Sequence, residues 1–177
     1  MYIIKLDKCG GLTGTQILRC IINIAKILNL DKIDLIDTSI INKGTKCEYS
    51  LAHYSILLNG ISWYNSHNFF STHHDANVEY NDNIRNQPLE DFYNQNKEQY
   101  YAVVEIIKTN GYNSSKLTVR DAVYHLSQIM KDTNAMCEKG QNNIVNAIQH
   151  IVRTSEKLLV YNTSLSMNFQ KTPDEKF

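Results

Sequence analysis

Gly10, Gly11 and Gly14 pose the first chemical question. They lie in Cys9-Gly10-Gly11-Leu12-Thr13-Gly14-Thr15, between a strand-like run, Tyr2-Ile3-Ile4-Lys5-Leu6, and a helix-like one. Glycine lets a ligand come close to the backbone. The amides of a first helical turn point outward with partial positive charge, so such a turn suits a phosphate or another anion. It is not G-x-x-x-x-G-K-[ST], because no Lys follows Gly14, and it is not G-x-G-x-x-G. A tight strand-to-helix turn without a ligand has the same composition, so both readings stand.

Other reactive residues carry less. His73-His74-Asp75 has metal-ligating types, but no cysteine or second histidine cluster is placed to complete a site, and a solvated loop with no metal is the expectation. Cys9 beside the glycines could be a thiolate at a helix start. No base is identifiable near it, which favours a buried structural cysteine. His53, His125 and His150 read as satisfied interior or boundary residues. No Ser sits on a strand-to-helix elbow, so a Ser/His/Asp triad is not argued. The pairs Trp63-Tyr64 and Phe69-Phe70 flank the polar Asn65-Ser66-His67-Asn68. Core packing explains Trp63 and Tyr64 as well as a role in chemistry does.

The elements that must position these residues follow from periodicity. Ile17, Leu18, Ile21, Ile22, Ile24, Ala25 and Leu28 recur at three and four, predicting an amphipathic helix that Asn29 can close. Ile33-Asp34-Leu35-Ile36-Asp37 reads as a second strand, parallel to the first through a right-handed crossover. Residues 42–47 read as a polar loop. A helix over Tyr49–Leu58 is ended by Gly60. Thr72–Gln87 is polar and reads as a surface loop. Pro88 opens a helix through Phe92 and Tyr93, and Tyr101–Ile107 fits either its continuation or a strand. Asn110-Gly111 is a turn. Thr118, with Asp121 three residues on, caps a helix from Val119 to Lys131. A last helix runs from about Gln141 to Leu159, and 172–177 is a charged tail.

Composition narrows the classes. The 177 residues suit one domain, taken as 1–171. With 18 basic and 18 acidic residues and no basic run, a nucleic-acid partner is not expected. Met1–Lys8 carries Lys5, Asp7 and Lys8 and is not a signal peptide. No apolar run approaches a membrane span, so no membrane partner is expected. Cys9, Cys20, Cys47 and Cys137 show no disulfide framework, which points to a reducing, cytoplasmic setting. The bias to Ile, Asn, Lys and Tyr is that of an AT-rich genome.

Residues 2–70 resemble the cofactor-binding half of the GNAT-type acyl-CoA N-acyltransferases. Gly14 matches the second glycine of that family's pyrophosphate loop, [Q/R]-x-x-G-x-[G/A]. Thr15-Gln16-Ile17-Leu18 matches the opening of the helix, and Ile33–Asp37 the next strand. Leu51-Ala52-His53-Tyr54 and Trp63–Phe69 resemble the following helix and its aromatic ending. Asp37-Thr38-Ser39, Ser50-Leu51-Ala52 and Gly60-Ile61-Ser62-Trp63-Tyr64-Asn65-Ser66 are similar to GNAT-like proteins of large DNA viruses of protists, which would place the chain in host cytoplasm or virion.

The resemblance implies an α/β fold: a GNAT-like core of strand, glycine turn, helix, strand and helix, with added C-terminal helices. It implies acetyl-CoA as cofactor, its pyrophosphate held at Gly11, Leu12, Thr13, Gly14 and Thr15, and Tyr64 as the acid that protonates the departing thiolate. It assigns no base, Asp37 being one candidate. The departures are specific. Leu12 replaces the family's first glycine, Cys9 its Gln or Arg, and Asn68 the glycine before Phe69, while the family's N-terminal strands have no counterpart. They favour the alternative of a GNAT fold without transfer, serving as a protein-binding or assembly module. Two copies or a rearranged C-terminal half would complete the sheet, and a protein partner or homodimer is expected.

Overall fold

The computed structural model describes residues 1–3, 11–41, 46–133 and 143–169. Along them run β1 (Tyr2–Ile3), α1 (Gly14–Ile27), β2 (Lys32–Ile36), β3 (Ile40–Ile41), β4 (Tyr49–Ser50), α2 (Leu51–Asn59), α3 (His74–Asn86), α4 (Leu89–Phe92), α5 (Lys97–Thr109), α6 (Val119–Asp132), α7 (Asn143–Ser155) and β5 (Ser164–Asn168). The mixed α/β class is as expected. The chain divides into two compact units: a sheet unit of Met1–Thr38, Tyr64–Thr72 and Asn162–Phe177, and a helical unit of Ser39–Trp63 and His73–Tyr161.

In the sheet unit the strand order is β1-β2-β5. β1 and β2 are parallel, pairing Tyr2 with Asp34 and Ile3 with Leu35. The rest of the anticipated first strand, with Cys9 and Gly10, lies outside the described residues. β5 pairs antiparallel with β2, Leu165 opposite Leu35. Alternation sends Ile33 and Leu35 of β2, and Leu165 and Met167 of β5, into the core. The helix α1 buries Leu18 and Ala25, seven residues apart on one face. Asn29 ends it in the left-handed conformation, φ 50°. The sequence reading did not find β5. Its polar residues, Ser164, Ser166 and Asn168, alternate with only two apolar ones, too short a signal to stand out.

The helical unit holds the larger core. Leu57, Leu89, Ile107, Val119, Val123, Leu126, Ile148 and Ile151 are fully enclosed in it. Thr118 and Asp121 form the capping box read from the sequence: the Thr118 hydroxyl accepts the Asp121 amide, and the Asp121 carboxylate accepts the Thr118 amide at 3.0 Å.

One expectation is corrected here, and one open alternative is decided. Residues 74–86 form α3, not a surface loop. Polar side chains make its buried face, which is why apolar periodicity missed it. Asn81 trades two 2.8 Å hydrogen bonds with the Val160 backbone. Arg85, 6% exposed, donates to the Leu57 and Leu58 carbonyls and meets Asp82 at 2.9 Å. In this way Arg85 seals the C-terminal end of α2, whose last carbonyls have no helical partner. Residues 101–107 belong to a helix and not a strand. Asn96 caps α5 by accepting the Gln99 amide, and Val103 and Ile107, four apart, face the core.

Candidate functional site

The start of α1 is described from Gly11 onward. Gly11 has φ 81°, a conformation that favours glycine. Leu12 is exposed, and Thr13 caps the helix. The Thr13 hydroxyl accepts the Gln16 amide at 3.2 Å, and the Gln16 side chain accepts the Thr13 amide at 2.7 Å. This capping box uses two of the donors that an anion would want. The amides of Gly14 and Thr15 keep no protein acceptor among the described residues. Two adjacent outward amides at a helix start can hold one anionic oxygen group.

Tyr64 lies in the same unit and is 8% exposed. Its ring meets Phe69 edge to face, centroids 6.2 Å apart. Its carbonyl accepts the amides of His67 and Phe69, closing a short 3-10 turn over Asn65–His67. Asn65 donates to the Phe69 carbonyl at 2.8 Å, and Asn68 takes φ 66°, a left-handed conformation that Asn tolerates better than most residues. Asp37, the candidate base, is buried at the end of β2, its amide bonded to the Thr163 carbonyl.

Two of the remaining histidines are bonded locally. His53 bonds Ser50 at 2.8 Å, and His150 bonds the Tyr93 hydroxyl at 3.0 Å. Burial lowers His150 below its ordinary 6.5 and raises the Tyr93 hydroxyl. His125 departs from its expected satisfaction: its Nδ1 is buried without a partner, under the Tyr112 ring at 4.8 Å. His74 begins α3. Among the described residues no group of three or more His, Cys, Asp or Glu could hold a metal ion. Among them, too, no helix is long and apolar enough to cross a membrane. Cys20 is a free, exposed thiol, whereas Cys47 is buried with its Sγ 3.9 Å from Asn146 Oδ1.

Sequence reasoning passed over the cations of the sheet unit. Arg19, Lys26 and Lys32 line a cleft there of about 980 Å³. The available signal was the seven-residue spacing of Arg19 and Lys26, which sets both on one flank of α1. In the helical unit a groove of about 1000 Å³ runs along α5 and α7, floored by Val103, Ile106, Ile144 and Ala147. No family model matches the chain, and neither a curated protein nor a solved structure matches it.

Proposed function

We propose that the chain is a GNAT-like acyl-CoA-binding domain, with the cofactor pyrophosphate held at the start of α1. The observation that carries this reading is the parallel β1–glycine turn–α1–β2 unit, in which the amides of Gly14 and Thr15 meet no acceptor among the described residues. Calorimetric titration with acetyl-CoA and CoA tests it. Both should bind, and Gly14→Val should abolish binding, because a branched side chain at the first helical residue blocks the phosphates. Unchanged affinity in Gly14→Val removes this turn as the site.

Acetyl transfer to an amine is the further step of this reading. Tyr64 would protonate the departing thiolate, a role worth on the order of 10²–10⁴ in rate. Tyr64→Phe should then cut turnover by that order with acetyl-CoA affinity intact. Equal turnover in the two proteins excludes Tyr64 as the acid.

A second reading, a module that binds protein without transferring acyl groups, rests on a different face of α1. Ile24, Ile27 and Leu28 are 51%, 82% and 62% exposed, apolar area that a protein partner or a second copy would cover. Sedimentation of the wild-type chain and of Ile24→Gln/Leu28→Gln separates the cases. A self-association constant that falls in the variant supports the module, and a wild-type monomer at high concentration argues against a second copy.

A further inference from the structure

The groove along α5 and α7 lies wholly within the helical unit. The spacing of α7 gives it two different ends. Ile144 and Ala147, then His150, Arg153 and Lys157 just past the helix end, recur at intervals of three and four along one face. That face is apolar at its first residues and basic at its last. Val103 and Ile106 of α5 complete the apolar floor. Val103 and Ala147 are buried and Ile106 and Ile144 half-buried, so the floor is continuous with the core of the unit.

Two of the polar groups are held in place. His150 Nδ1 is bonded to the hydroxyl of buried Tyr93 at 3.0 Å, which fixes the ring and leaves Nε2 without a partner among the described residues. Arg153 donates from Nη2 to the Glu48 carbonyl at 3.2 Å, so its guanidinium is anchored with further donors to spare. Lys157 is exposed and has no ion pair among the described residues. Glu105 is the one carboxylate among the described lining residues, and it accepts the Thr109 hydroxyl at 3.2 Å. Two cations against one anion leave the lining net positive.

Anchored donors beside an apolar trough suit a molecule with an anionic head and an apolar tail. The volume, about 1000 Å³, lies at the upper end of small-molecule sites, roughly 300–1,000 Å³. A docked helix needs apolar anchors repeated along its whole contact. On α7 the apolar floor stops at Ala147, and the lining residues after it are polar.

We propose that this groove binds a fatty carboxylate, its chain over Val103, Ile106, Ile144 and Ala147 and its head held by Arg153, Lys157 and the His150 ring. The proposal is independent of the acyl-CoA reading, which rests on Gly14 and Thr15 of the sheet unit.

Calorimetry on the full chain with decanoate, decanol and decyltrimethylammonium, each below its solubility or micelle limit, tests it. Decanoate should bind at least about tenfold tighter than the cationic amphiphile. Lys157→Glu should weaken decanoate about tenfold and leave decanol unchanged, because only the head contact is altered. Ile106→Asn should weaken decanoate and decanol alike, by about fivefold or more, since a polar group enters the floor. Lys157 is exposed, so circular dichroism and thermal unfolding of Lys157→Glu should match the parent. Four results overturn the proposal: no decanoate binding up to that limit, equal binding of the cationic amphiphile, decanoate binding indifferent to Lys157→Glu, or its loss in Gly14→Val. A wild-type dimer that Ile106→Asn disperses without ligand also overturns it, by giving the groove to a second copy.

Discussion

The two units solve the burial problem differently. The helical unit encloses a broad apolar core and spends polar side chains on closing helix ends, as Arg85 does for α2 and Thr118 with Asp121 for α6. The sheet unit buries one face of a three-stranded sheet with Leu18 and Ala25 of α1, Ile3, Ile33, Leu35, Leu165 and Met167, and it also encloses Phe69 fully and Tyr64 nearly so. It leaves cations on one flank of α1 and aliphatic side chains on the other. The lesson is one of scale: the helical unit closes a broad core with polar groups at its helix ends, and the sheet unit closes a smaller one with polar pairs of its own, Thr13 with Gln16 and Asp34 with Ser166.

Core truncations should give the largest contrast. Leu126→Ala, at the fully buried centre of the helical unit, should cost about 3–5 kcal/mol in urea unfolding. Leu165→Ala, under a thin sheet whose surroundings can collapse, should cost nearer 2–3 kcal/mol. Equal costs would break the comparison. Arg85→Ala should follow at about 3 kcal/mol, since it strands the Leu57 and Leu58 carbonyls. A loss below about 1 kcal/mol would mean that water replaces the guanidinium.

Acid should separate the units by pH. His150 in the helical unit is held below its ordinary 6.5 by burial, so the folded chain takes up fewer protons than the unfolded one. Its penalty is absent above about pH 6.5 and grows as pH falls from there towards the lower folded value. Asp34 in the sheet unit is held below 3.8, first by the Ser166 hydroxyl and then by Lys32. Its contribution is complete above 3.8 and is lost only as pH falls through the lower folded value. Amide-exchange protection factors should therefore drop in α7 before they drop in β2. The reverse order would contradict the assignment. The smallest effect belongs to Ile27→Gln: at 82% exposure its stability change should stay within about 0.5 kcal/mol by thermal unfolding.

What the sequence made legible was whatever apolar periodicity or capping chemistry could signal. The repeat in α1, the Thr118–Asp121 box of α6 and the left-handed Gly60 ending α2 were all readable locally. α3 was not, because Asn81 and Arg85 are buried through partners 79 and 27 to 28 residues away. β5 was not, because a two-sided strand of serines gains its meaning only beside β2. Of the candidate site, the glycine turn was legible. The cleft was not: it joins α1 and β2 to Phe70 and β5, from three separated stretches of chain.

That assembly from three stretches has a consequence for biosynthesis. β2 is translated early, and its antiparallel neighbour β5 is translated after every element of the helical unit. Until Ser164–Asn168 leave the ribosome, one side of β2 carries unpaired backbone donors and acceptors from Lys32 to Ile36. The nascent chain must guard that edge against foreign strands for well over a hundred residues of elongation, which at about 5–20 residues per second lasts many seconds. Chaperone dependence of this protein should therefore be decided by β5.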